Sequence, residues 1–338
     1  MSLIPDRDVD LSAVTVVVVA WRSAATVDDC LRSVLPPGDV RQPSVLVVLN
    51  DADPATLAAV QPWTAHPDVS TVPLSRNTGF AGGVHAATSA VLTPWMFLLN
   101  DDAQLEPGAL ERLLRLLQEH PDPGSMAVVQ ASVRLADAEP RLTNSTGNQV
   151  SPDGYGYDRD WLVPWPPDRA GEEEPFGFCG AGALLRVSAV REVGGMDPRL
   201  FLYYEDTDLS WRLRLAGWRS SWCPTAVVTH RHGTSSVEGS ELFRFYNERN
   251  RLLVLARDAS VHLALTQWMR YPLTVASLTV HHGPRRARTA LRLRALASAC
   301  RGLPAALRQR RRDVIRVPRS QVEQLLVPPP ARLGGLRA

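Results

Sequence analysis

PWMFLLNDDAQLEPG, residues 94–108, is the stretch whose reading decides the fold. The five apolar residues from Trp95 to Leu99 are too few for a helix and read as a buried strand. The strand stops at Asn100-Asp101-Asp102. Leu105, Leu110, Leu113, Leu114 and Leu117 then follow at helical spacing, with Pro107 near the expected helix start. Two adjacent carboxylates at the carboxyl end of a buried strand repel unless a positive charge sits between them. In an open α/β sheet that is also where ligands bind. One reading is a divalent metal held by carboxylate oxygen and bridging to substrate phosphates. The other is a solvated, Asp-rich turn that caps the next helix. Taken alone, the pattern favours the capping turn.

Working outward, residues 15–20 (TVVVVA), 44–49 (SVLVVL) and 69–74 read as strands, and helices are expected at 26–34, 54–60 and from the glycine-rich turn 77–83 to about Ala90. Strands alternating with helices imply a parallel, doubly wound sheet. Residues 126–132 add a strand. Residues 136–175, rich in Pro, Gly, Asp and Trp, read as a long loop with a hairpin, of the kind that forms lids or acceptor sites. Regular structure resumes at 176–187, and a short helix from Ser188 stops at Gly194-Gly195. Residues 206–216 form another helix and 226–229 a short strand. From Glu241 to about Arg312 the chain is mostly helical, interrupted by Pro272, Gly283-Pro284 and Pro304.

Composition narrows the function classes. Cys30, Cys179, Cys223 and Cys300 form no CxxC pair, which argues against a zinc site or a disulfide framework and fits a reducing cytoplasm. No stretch resembles a secretory signal, and the apolar run at 14–20 is too short to span a membrane. There is no lysine. The net charge of +2 conceals an asymmetry, because residues 281–338 carry 14 arginines against only Asp313 and Glu323. An acidic body is followed by a basic tail, suited to an anionic surface or simply to solvent.

Three further constellations bear on chemistry. The turn from Asn77 to Gly83 could bring backbone N–H groups to a phosphate at a helix N-terminus, although it matches neither GxGxxG nor GxxxxGK[ST]. A tight strand-to-helix turn explains it equally. Glu205, Asp206 and Asp208 crowd a helix start, where capping and the macrodipole account for one or two of them. One of the three could instead be a general base. His230 and His232 follow a strand at i and i+2 and could offer imidazole to a metal.

The order of these pieces, above all GGMDPRLFLYYEDTDLSWRLRLAGW at 194–218 followed by THRHG at 229–233, resembles the family 2 glycosyltransferases of the GT-A fold. The nearest look-alikes are rhamnosyl- and galactofuranosyl-transferases of cell-wall or surface-polysaccharide assembly. The resemblance runs from about Val14 to Arg257. It implies an α/β, doubly wound, mostly parallel sheet with helices on both faces and a C-terminal helical extension. The expected division is a lead-in at 1–13, the transferase domain at 14–240 with an acceptor region at 136–175, a helical extension at 241–316 and a flexible basic tail at 317–338.

The resemblance also implies roles. Asp102 would bind Mg2+ or Mn2+ together with the donor diphosphate, His230 would complete the metal site with His232 as second choice, and Asp101 would lie near the donor. Asn50, Asp51, Asn77, Gly79, Gly82 and Gly83 would line the donor site. Asp206, supported by Glu205, would be the catalytic base of an inverting transfer to a saccharide or lipid-linked saccharide. Two positions depart from the family pattern: Leu49 stands where an Asp usually contacts the nucleobase, and His85 where Asn is common. The implied partners are a nucleotide-diphosphate sugar, an anionic membrane met through the basic helices, and a second subunit, with no nucleic acid. The competing readings are a sugar-nucleotide-binding protein with a degenerate site, favoured by Leu49, and a nucleotidyltransferase, which would not call for the acids at 205–208. The missing dinucleotide fingerprint counts against an NAD dehydrogenase.

Overall fold

A computed structural model describes residues 9–37, 42–136, 138–167, 174–231, 240–283 and 287–330. Strands β1 (Val14–Ala20), β2 (Ser44–Asn50), β3 (Val69–Leu74) and β4 (Trp95–Asn100) lie parallel in the order β3-β2-β1-β4, joined through helices α1 (Val27–Val34), α2 (Pro54–Val60) and α3 (Gly79–Ala90). The valine run of β1 explains its central place. Val14, Val16 and Val18 pack into one apolar layer with α1, α2 and α4 (Ala109–Glu119), while Val17 and Val19 pack into a second with α3. A strand buried on both faces needs no polar alternation, and its sequence shows none.

Beyond β4 the sheet continues β10-β6-β11-β5. Its strands are β5 (Ala103–Leu105), β6 (Met126–Leu135), β10 (Gly182–Arg186) and β11 (Arg219–His230). Strand β10 runs antiparallel to both β4 and β6, and β11 is parallel to β6 but antiparallel to β5. The sheet is therefore mostly parallel, with an antiparallel patch around the turn at Asp101-Asp102. Helices α5 (Val187–Glu192) and α6 (Glu205–Leu215) cover the α3 face. Helices α7 (Glu241–Asp258), α8 (Val261–His282) and α9 (Ala287–Arg310) form the C-terminal layer.

Several boundaries differ from the sequence expectation. Leu105 belongs to β5 and Pro107 precedes α4, whose N-cap is Gly108 in a left-handed conformation (φ 75°). The short strand expected at 226–229 is the end of the twelve-residue β11, which a bulge after Cys223 lets resume on β6 at Val227. Pro224 sits in that bulge, where no ladder N–H is needed.

Residues 136–175 hold β7 (Thr143–Ser145), paired to β6, and a hairpin of β8 (Asn148–Val150) and β9 (Gly156–Asp158). The segment expected to trail free from Val317 is instead packed as far as its described part extends, to residue 330. It contains α10 (Arg319–Val322), Val322 is buried, the Val327 N–H donates to the Val150 carbonyl (2.9 Å), and the Tyr157 hydroxyl donates to the Val327 carbonyl (3.1 Å).

The glycine turn is a packing device. Gly79 has φ 70°, and a Cβ there would lie 2.0 Å from the Phe201 carbonyl oxygen; at Gly83 it would lie 2.6 Å from Val19. The chain beginning at Phe201 rests directly on the N-terminus of α3. Replacing Gly79 by Ala combines backbone strain with a clash against main chain. It is expected to destabilise the protein by about 2 kcal/mol or more, measurable as a lower midpoint in urea unfolding.

Candidate active site

The first half of the site is the turn after β4. Antiparallel pairing places His230 of β11 opposite Ala103 of β5, so the ladder itself brings the imidazole to the neighbouring Asp102. His230 Nε2 lies 3.0 Å from Asp102 Oδ1, with both residues buried. On the other side of the ring, Nδ1–H donates to Asn144 Oδ1 at 2.6 Å. A side-chain carbonyl oxygen can only accept, so this bond fixes the proton on Nδ1. In the neutral ring Nε2 then presents a lone pair, within 3.2 Å of Asn100 Nδ2 and facing a carboxylate oxygen. A protonated ring would meet Asp102 directly through Nε2–H, whereas a neutral ring would offer that nitrogen to a cation shared with Asp102, and second-sphere orientation of this kind is characteristic of metal-ligating histidines. Among the described residues no group of three or more His, Cys, Asp or Glu side chains surrounds a metal-sized space. Asp102 and His230 could supply two ligands, leaving the others to phosphate oxygens and water, as suits Mg2+ or Mn2+. His232 lies outside the described residues.

Asp101 points the other way, accepting the Trp21 N–H at the end of β1 (3.2 Å). Burial, and then the charge of Asp102, push its carboxyl up to about 6.

The second half is the start of α6. Its three acids have three different fates. Asp208 is buried in an ion pair with Arg212 and lies 3.6 Å from Arg257, which makes it structural. Glu205 is buried with Oε2 unpartnered, and burial followed by the charge of Asp206 pushes its carboxyl well above the usual range. Asp206 is half-buried. Its Oδ1 accepts the Thr207 N–H at 2.6 Å, and burial, then the charge of Asp158, push its carboxyl up to about 7.

A strained loop aims this helix. Phe201, Tyr203 and Tyr204 all adopt left-handed backbone (φ 69°, 65° and 70°). Non-glycine residues hold such conformations only where the surroundings impose them. Here the fully buried Asn250 of α7 directs its amide to the carbonyls of Leu200 (2.9 Å), Leu202 (3.0 Å) and Tyr203 (2.7 Å). The Tyr204 hydroxyl accepts the Gly156 N–H and donates to the Gly154 carbonyl, tying the loop to the β8–β9 hairpin.

That hairpin joins the two halves and carries a residue that motif reading missed. Asp158 of β9 accepts a hydrogen bond from the Cys179 thiol, raises the Asp206 carboxyl, and is itself held down in part by His230 while burial raises it. It is thus close enough to both halves to act on each. Asn144 and Asn250 were missed as well, since a lone Asn in a loop or mid-helix carries no motif. Asp158 lay in the stretch expected to form the acceptor region, but nothing in GYGYDRD singled it out. Cys179, also beside these acids, is pushed well above the usual thiol range by burial and by Asp158, and so stays protonated.

The remaining expected donor residues divide. Asn50 is buried, and its polar atoms are taken up within the chain. Its Nδ2 donates to Asn77 Oδ1 and to the Gly79 carbonyl, and its Oδ1 accepts from the Thr78 N–H and hydroxyl. Asn77 Oδ1 also accepts the Gly79 N–H, and the Ala81 N–H donates to the Phe201 carbonyl. The Gly79 and Ala81 amides at the start of α3 are therefore spent on the protein itself, and a Cβ at Gly79, Gly82 or Gly83 would meet Phe201, Thr78 or Val19. Asp51 differs: it is exposed, in left-handed backbone (φ 56°), just past the end of β2. Trp21, Asp51 and Asp101 thus follow the carboxyl ends of three adjacent parallel strands, the edge where α/β sheets bind ligands. Leu49 packs against the core, and His85 Nδ1 meets the Met196 carbonyl at 3.0 Å, tying α3 to the 194–200 segment.

With this geometry in view, the comparisons are decisive on family. The model of the family described as glycosyltransferase like family 2 matches residues 12–251. The chain belongs to this family of glycosyltransferases. It is 30% identical over 224 residues to an N-acetylglucosaminyl-diphospho-decaprenol L-rhamnosyltransferase of Mycobacterium tuberculosis, covering 60% of this chain and 71% of that protein. It is 29% identical over 260 residues to the galactofuranosyltransferase GlfT1 of Mycolicibacterium smegmatis, covering 68% and 80%. Among solved structures, the Pyrobaculum calidifontis mannosyltransferase PcManGT in complex with GDP-Man and Mn2+ superposes with a TM-score of 0.51 at 17% identity, covering 88% of this chain and 90% of that one. S. aureus TarS 1-349 in complex with UDP-GlcNAc gives 0.52 at 14%, covering 88% and 91%. These likenesses agree with the GT-A architecture described above.

Asp206 also makes a stability statement. Its carboxyl titrates higher in the folded glycosyltransferase than in an unfolded chain, so the stability its protonation contributes is present at low pH and is lost as pH rises through about 7. Asp206→Asn removes that loss. With chelator present, the variant should exceed wild type by about 1–2 kcal/mol near pH 8, and the gap should close by roughly pH 4, as read from urea unfolding across pH.

Proposed function

We propose that this glycosyltransferase moves a sugar, with inversion, from a nucleotide-diphosphate donor to a hydroxyl of a saccharide or lipid-linked saccharide acceptor in cell-wall or surface-polysaccharide assembly. The observation that carries the reading is the pair of half-sites: Asp102 Oδ1 and His230 Nε2 at 3.0 Å, with Nδ1 bonded to Asn144, and Asp206 at the start of α6 with its carboxyl raised by burial and by Asp158. The rhamnosyl- and galactofuranosyl-transferase relatives support the class of transfer, and the decaprenol named for one of them supports a lipid-linked acceptor.

In this reading the donor lies along the strand ends at Trp21, Asp51 and Asp101, with its diphosphate toward Asp102 and His230. Asp102 and His230 would hold a divalent cation, which would supply positive charge for the leaving diphosphate. Asp206 takes the proton from the acceptor hydroxyl as that oxygen attacks the anomeric carbon from the face opposite the leaving group. A carboxyl raised to about 7 is a stronger base than an ordinary aspartate, half ionised at neutral pH and ionised above it. Asp158 helps keep it raised. Leu49 offers no acceptor for a nucleobase N–H, so base recognition falls to Asp51 or to main chain.

Three outcomes test the reading. Asp206→Asn should lower turnover by about 10²–10⁴-fold while donor affinity, measured by calorimetry, is nearly unchanged; undiminished turnover would remove Asp206 from the role. Wild-type turnover should rise with pH through about 7, because only the ionised base accepts the proton. Asn144→Ala frees the His230 ring from its fixed tautomer and should weaken Mn2+ binding by about 10- to 100-fold in a direct titration. Turnover unaffected by chelator would exclude the metal half.

A further inference from the structure

We propose that one face of α8 lies on an anionic lipid bilayer. Val261, Leu265, Met269, Leu273 and Val280 are 62%, 57%, 67%, 69% and 81% exposed. At about 100° per residue they fall on one side of the helix, with Ala276 among them, and form a stripe about 28 Å long. Trp268, Tyr271 and Val275 lie on a different side and pack into the core beneath. Isolated exposed apolar residues are ordinary on any protein, but five aligned along one helix are not. No helix among the described residues is long and apolar enough to cross a membrane, so the surface suits lying in the interface rather than spanning it.

Charge selects the occupant. Between residues 261 and 312 the sequence contains no acid and eleven arginines. Arg270 lies beside the stripe and is exposed, placed to reach lipid phosphates while its stem stays on apolar ground. The acids that face this layer from neighbouring elements are engaged. Glu241 pairs with Arg294 (2.8 Å), Glu248 with Arg292 (3.2 Å) and Asp313 with Arg257 (2.6 Å), and Glu323 accepts the Ser260 N–H at the start of α8. A second copy fits less well, because a symmetric pair meeting across this stripe would bring two acid-free, arginine-bearing surfaces together. An anionic bilayer satisfies the apolar stripe and Arg270 at once, in an acid-free stretch of chain.

The test uses the full chain and does not depend on the proposed chemistry. Flotation is run with phosphatidylcholine–phosphatidylglycerol vesicles and with phosphatidylcholine alone, comparing wild type, Leu265→Glu/Leu273→Glu and Leu92→Glu. The last charges a single Leu, 93% exposed, ahead of β4 on the transferase body. Wild type and Leu92→Glu should float with the anionic vesicles and much less with phosphatidylcholine alone. The double variant should lose about tenfold or more of its bound fraction, with its thermal unfolding midpoint unchanged. Three results overturn the proposal: wild type that does not float, a double variant that floats like wild type, or a wild-type dimer in sedimentation that the double variant dissolves while neither form binds vesicles.

Discussion

One buried amide holds the start of α6 in this glycosyltransferase in shape. Asn250, deep in α7, serves three carbonyls of the 200–203 segment, and on that support rest three left-handed residues, the entry angle of α6 and so the direction of Asp206. Strain of this kind persists only where the surroundings overdetermine it. Here they do so from three sides: α7 through Asn250, the β8–β9 hairpin through Tyr204, and α3 through the contact of Gly79 with the Phe201 carbonyl. The helical layer is therefore part of how the site is built.

The acids at 205–208 show how one short motif divides its work. Asp208 joins a buried network with Arg212 and Arg257, and Arg257 also reaches Asp197, Asp258 and Asp313. Breaking one partner of such a network is far more costly than its net contribution suggests, since it strands a buried charge. Asp206 is left at the helix start with its carboxyl raised, while Glu205 is buried beside it and raised as well. Charge crowding that the fold must neutralise at one position becomes basicity at the next.

Much of this was legible in the chain. The apolar runs of β1, β2 and β4 announce strands buried on both faces, and the abrupt Asn100-Asp101-Asp102 marks the carboxyl end of β4. The glycine turn was legible only as a turn. Glycines that admit a ligand and glycines that admit another segment of the same chain look alike in sequence, and here Phe201 and Val19 occupy the space. Leu105 left the expected helical pattern because it belongs to a three-residue strand that pairs with β11, a partner more than a hundred positions away. Asn144, Asp158 and Asn250 escaped for the same reason: each acts through a long-range contact, and none belongs to a local pattern. The packed segment after Val317 was hidden because Pro-rich, arginine-bearing sequence resembles an unstructured tail whether or not it has a surface to lie on.

The pairing of β11 with β5 has a consequence for how this protein can vary. His230 meets Asp102 because Val228, Thr229 and His230 stand opposite Leu105, Gln104 and Ala103, a register set by main-chain bonds. Side chains alternate along a strand, so a single inserted or deleted residue within 227–230 would turn the imidazole to the opposite face of the sheet. The bulge after Cys223 already absorbs a mismatch in length just upstream. A gain or loss of residues at that bulge leaves this register intact, whereas the last four positions of β11 do not admit a change in their number.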